Sequence, residues 1–192
     1  SVLGSFALLN SNSATNTVAV GFGAARGGAA YNNQGGVYLG YQAGYSAGTG
    51  SNYNTLLGYQ AGYGITTGAY NIVIGQNVEA PTVTSNQQLN IGNLVYGTGI
   101  YNGSTVTSAP TVNALLGIGT TTPYAKLSIA NRATDSTQPL FAVASSTASA
   151  TTTLFVINNN GNVGIGTANP GATLSVIGTA STSLLNISNL GN

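Results

Sequence analysis

The sequence predicts an all-β fold, with stacked β-roll or β-solenoid repeats in its first half and longer, more open strand-forming repeats in its second. Three observations carry this prediction. A glycine-terminated apolar motif recurs every 17 to 19 residues, and a second motif returns 47 residues after its first copy (164 − 117). The composition is rich in Val, Ile, Thr and Tyr and poor in Glu and Lys, which favours strand over helix.

The first repeat ends in glycine at Gly4, Gly21, Gly40, Gly58, Gly75 and Gly92, at spacings of 17, 19, 18, 17 and 17. Before each glycine stands a large aliphatic residue: Leu3, Val20, Leu39, Leu57, Ile74 and Ile91. The position two before it varies freely: Val2, Ala19, Tyr38, Leu56, Val73 and Asn90. A constant apolar position alternating with a variable one is the pattern of a strand with one buried face. A small apolar residue follows three positions after each glycine (Ala7, Ala24, Ala43, Ala61, Val78, Val95), and then a polar turn such as SAGTGSNYN. Each unit therefore reads as a short strand, a glycine bend, a second apolar contact and a turn. A unit this small cannot bury its apolar face alone, so successive coils must stack, with strands about 4.8 Å apart. This region spans residues 1–95.

Residues 96–111 show no strong period and read as a junction. The second repeat occupies 112–192: GIGTTTPYAKLSI at 117–129 returns as GIGTANPGATLSV at 164–176, aligning Gly117 and Gly119 with Gly164 and Gly166. Proline after a polar triplet forces a turn, and the alternating A-x-L-S-[IV] that follows reads as a strand. Between the copies, PLFAV and LFVI are strand candidates, and INNNGNVGIGT reads as a hairpin turn into the next copy.

Five side chains carry full charge: Arg26, Glu79, Lys126, Arg132 and Asp135. With 42% hydrophobic residues and a net charge of +1, the chain lacks the signature of disorder, and its 28 glycines follow no collagen triplet. Cys, His, Met and Trp are absent, which removes disulfide, thiol and zinc chemistry. No apolar run reaches the ~20 residues of a membrane helix, and the opening residues lack the basic flank of a signal peptide. The chain begins inside one repeat and ends on an incomplete one, as expected of an excerpt from a longer protein.

Glu79 and Asp135 are the only carboxylates, and they lie in different repeat types with no histidine to act as base. Lys126 alone would have to activate a nucleophile. These residues argue against an enzyme, and no cofactor or metal is expected. Three basic residues give nucleic acid no electrostatic footprint. The glycines match no phosphate-binding motif. Tyrosine is the one side chain with a binding role in prospect: Tyr41, Tyr45, Tyr59 and Tyr63, with Gln42 and Gln60 beside them, form paired GYQAGY units. Either they pack between coils or chains, the favoured reading, or they form a ladder on which sugars stack.

NTVAVGFGA at 16–24, with the later YNTLLGYQAG and YNIVIGQNV, resembles the head repeats of trimeric autotransporter adhesins. That resemblance covers roughly residues 1–95 and implies a β-roll of which three copies pack together. GNVGIGTANPGATLSV resembles repeats of phage tail fibres and large bacterial surface proteins, over roughly residues 112–192, and implies a trimeric β-rich shaft. Together they imply an elongated homotrimer in an extracellular fibre, on a cell or virion surface. Its role would be structural and adhesive, contacting a receptor or glycan of a host or neighbouring cell, with the loop from Ala24 to Gly36 available for that contact. The alternatives are a virion receptor-binding tail fibre and a subunit of a filament joined end to end.

Overall fold

The computed structural model describes residues 1–101, 113–131, 137–146 and 151–178. These residues form strands, turns and no helix. The chain divides into two compact units, Ser1–Ala130 and Asn131–Asn192.

In the first unit the strands are β1 (Val2–Leu3), β2 (Ser11–Thr15), β3 (Val18–Val20), β4 (Tyr31–Gln34), β5 (Val37–Leu39) and β6 (Thr55–Leu57), followed by β7 (Ile72–Ile74), β8 (Gln88–Ile91), β9 (Val95–Thr98), β10 (Leu115–Ile118) and β11 (Leu127–Ile129). Strands β1, β3, β5, β6, β7 and β8 pair side by side, parallel and in register, one per repeat. The result is a β-solenoid-like stack of about 5 turns. A second, two-stranded ladder joins β2 to β4, so the polar segment that reads as a turn is itself strand in the first two coils.

The glycines that end the first four coils are required by their neighbours one coil on. At Gly40, φ is +140° and an added Cβ would lie 2.2 Å from the carbonyl oxygen of Gly58. Gly4, Gly21 and Gly58 approach the next glycine in the same way.

Alternation leaves open which strand face is buried, and closure of the coil decides it. The variable residues Ala19, Tyr38, Leu56, Val73 and Asn90 are the buried ones, facing Ala24, Ala43, Ala61 and Val78 inside the coil. The constant aliphatic residues point outward: Leu39 is 48% and Ile91 39% exposed, and Val20, Leu57 and Ile74 are half-buried. The physical reason is that each coil closes around its own interior, and what matters there is the combined volume of several residues, so one position is free to vary while its neighbours compensate. Tyr38 makes this visible. Its ring occupies the space that a side chain at Gly36 would fill, since a Cβ there would meet Tyr38 Cε2 at 2.2 Å. The equivalent positions one and two coils on hold Asn54 with Leu56 and Asn71 with Val73.

A polar ladder runs through the stack beside this core. Asn54 Oδ1 accepts the amide of Asn71 (2.9 Å), and Asn71 Oδ1 accepts the amide of Gln88 (2.9 Å). The Asn54 side chain donates to the carbonyls of Ser51 and Gly68, and that of Asn71 to Ser85. Each buried amide side chain thus satisfies main-chain groups of its own or the following coil, which makes its burial tolerable. In the earlier coil this slot belongs to Thr17 and not to Asn16: Thr17 Oγ1 donates to Asn33 Oδ1 (3.0 Å), and Asn33 donates to the Tyr38 hydroxyl (2.6 Å).

Gly92 behaves differently from the glycines before it. It turns a hairpin, so that β9 runs antiparallel to β8, β10 antiparallel to β9, and β11 parallel to β10. The sheet thereby reaches nine strands. Tyr96 to Thr98, read as junction, belong to β9, and residues 102–111 lie outside the described residues. The first GIGT copy extends the sheet of the first unit, so the two copies fall in different units.

The second unit is a four-stranded sheet of β12 (Phe141–Ser146), β13 (Thr151–Ile157), β14 (Val163–Ile165) and β15 (Leu174–Val176). Strands β12, β13 and β14 are antiparallel, and β15 is parallel to β14. The GIGT copies fold alike: Gly117 pairs with Ser128 and Gly164 with Ser175. A Cβ on Gly119 would meet the carbonyl of Ala130 at 2.2 Å, and one on Gly166 the carbonyl of Ile177 at 2.3 Å. Pro123 and Pro170 are buried under the arches.

Candidate functional site

The paired tyrosines occupy the bends after Gly40 and Gly58, and the stacking of coils brings them face to face. Tyr41 and Tyr59 lie 5.0 Å apart at 10°, and Tyr45 and Tyr63 lie 5.0 Å apart at 3°. Phe22 extends the first ladder at 5.6 Å, with Phe6 edge-on beyond it. Gln60 Nε2 donates to Gln42 Oε1 (2.8 Å) between the ladders. Gln42 and Gln60 adopt left-handed backbone conformations (φ 52° and 54°) that carry the chain around the corner. Within each ladder the facing ring surfaces cover one another, and a pyranose has no room between rungs 5.0 Å apart.

A third ladder, Tyr53–Tyr70–Tyr101, stacks at 5.0 and 4.1 Å. Its only signal in the sequence is the tyrosine immediately before both Asn54 and Asn71, and the coil stacking that aligns those rings is tertiary. Two further tyrosines are interior. The Tyr38 hydroxyl donates to the Ser51 carbonyl (3.1 Å) and that of Tyr31 to the Ala25 carbonyl. Burial pushes both phenols above their ordinary range, and the neighbouring Tyr38 adds to the effect at Tyr31.

The loop from Ala24 to Gly36 is part internal and part exposed: Ala24, Ala25, Gly27, Tyr31, Asn33 and Gly36 are buried, and Tyr31–Gln34 is β4. What it leaves exposed are Gly28 to Ala30, Asn32 and Gln34.

The outward side of the nine-stranded sheet forms a continuous aliphatic face. Register aligns Leu3, Val20, Leu39, Leu57, Ile74, Ile91, Val95, Ile118 and Ile129 in one row. A second row runs through Val18, Val37, Thr55, Ile72, Leu89, Gly97, Leu116 and Leu127. Neither row contains a charged residue. Eight interstrand steps of about 4.8 Å make the face roughly 38 Å long.

The charged side chains of the described residues sit elsewhere. The Arg26 guanidinium lies over the Tyr45 ring, Lys126 Nζ donates to the Ala114 carbonyl (3.2 Å), and Glu79 accepts main-chain amides. Among the described residues no group of three or more His, Cys, Asp or Glu side chains is placed to hold a metal, and no helix is long and apolar enough to cross a membrane. Comparison of the chain with family models, curated proteins and solved structures returned no match.

Proposed function

We propose that this chain is a non-enzymatic structural and adhesive segment of an extracellular trimeric fibre, in which three copies pack their aliphatic sheet faces against one another and the bends face outward to a receptor or glycan. The observation that carries the reading is the double row of outward aliphatic side chains. A flat, uncharged apolar face of this length is costly to leave in water, and large exposed patches of this kind mark association surfaces. Its constancy from coil to coil, beside an interior that varies, fits a surface that must match a partner of the same period. A second copy of the chain has that period. The ladders of stacked rings and the polar ladder fix coil to coil and make the coil stack stiff.

The test is solution mass by light scattering. Three copies of a 19.0 kDa chain give 57 kDa. A species of that mass with β-type circular dichroism supports the reading, and a folded 19.0 kDa monomer at micromolar concentration overturns it.

A further inference from the structure

The Tyr45–Tyr63 ladder ends in two different ways. On the side of the preceding coil, the Arg26 guanidinium carbon sits 5.1 Å from the centroid of the Tyr45 ring, and its Nη1 donates to the Tyr45 hydroxyl (2.7 Å). On the side of the following coil no ring among the described residues continues the stack. There Tyr63, Gln60 and residues Asn77, Val78 and Glu79 of the next bend border an open depression of about 360 Å³. Glu79 is the one carboxylate side chain among the described residues. Its Oε2 accepts the amide of Gly64 (2.5 Å) and its Oε1 the amide of Ala80 (2.9 Å), which hold the carboxylate at the rim with lone pairs to spare.

We propose that this depression binds a small organic cation, a guanidinium or alkylammonium group of the kind an arginine or lysine side chain presents. An aromatic face attracts a cation through its ring quadrupole, and an adjacent carboxylate adds direct attraction and charge-assisted hydrogen bonds. The chain already uses this chemistry at the other end of the same ladder, where Arg26 covers Tyr45. The amide groups of Gln60 and Asn77 supply further acceptors at the rim. A calcium ion is a poor fit, because it takes 6–8 oxygen ligands and one carboxylate is present. A neutral sugar would gain nothing from the fixed negative charge. All the residues belong to the bends of one chain, so the site does not depend on assembly through the sheet face.

The experiment is a titration of the isotope-labelled full chain with ethylguanidinium, read at the amides of Gly64 and Ala80 by NMR, with methyl glucoside as the neutral comparison. Saturable shifts at both amides with ethylguanidinium alone are expected. Glu79→Gln, which keeps an acceptor oxygen, and Tyr63→Leu should each weaken binding about tenfold, and Tyr63→Phe should keep it within about twofold. Circular dichroism checks the fold of each variant. Absence of shifts, equal binding by Glu79→Gln, or a response to methyl glucoside alone would overturn the proposal.

Discussion

At Gly40 two constraints coincide: a φ of +140° that L residues rarely adopt and a carbonyl of the next coil 2.2 Å from any added Cβ. At Gly92 only the first applies, with φ +61° and open space around it. Gly40→Ala should therefore cost about 3 kcal/mol or more, and Gly92→Ala about 1 kcal/mol, both read from urea unfolding. Tyr31 and Tyr38 give a residue-scale prediction in pH. Their phenols are raised by burial above the ordinary value of 10.0. A group raised in the folded state contributes stability that is fully present below its unfolded value and lost as pH climbs through the folded one. Stability should accordingly fall as pH rises above 10, and tyrosinate absorbance should show these two phenols ionising only as the chain unfolds.

A coil is the element of this protein, and its interior is filled by compensation between positions. Tyr38 over Gly36 does in one coil what Leu56 with Asn54 does in the next. Gly36→Asn alone drives a side chain into the Tyr38 ring. Tyr38→Leu alone leaves that space empty and removes the hydroxyl from Asn33 and the Ser51 carbonyl. The double variant reproduces the neighbouring coil. We predict that both single changes destabilise, and that a double-mutant cycle shows a favourable coupling of about 1–3 kcal/mol. Additive single effects would contradict the compensation. The same reasoning explains why glycine stands at position 36 where the next two coils have Asn54 and Asn71.

At the scale of the whole molecule, the outward aliphatic rows are where association is tested. Leu57→Lys together with Ile74→Lys places two charges mid-row without touching the interior, since both side chains are only half-buried. The expected outcome is a shift of solution mass from 57 kDa to 19.0 kDa with the β-type dichroism retained. A double variant that stays at the higher mass would place the contact elsewhere. By itself the sequence determined the all-β class, the coil period, the strand at each repeat, the glycine after it and the likeness of the two GIGT copies. All of these are local properties, set by side-chain periodicity and by backbone conformations that only glycine adopts freely. Tertiary structure alone decided which strand face is inside. Alternation gives a strand two faces without saying which is buried, and only closure of the coil turned the variable residues inward and the constant ones out. It likewise decided that Gly92 turns a hairpin, because the same glycine serves a bend or a reversal according to whether another coil follows. The open end of the tyrosine ladder beside Glu79 exists only because stacking brings residues of successive bends together.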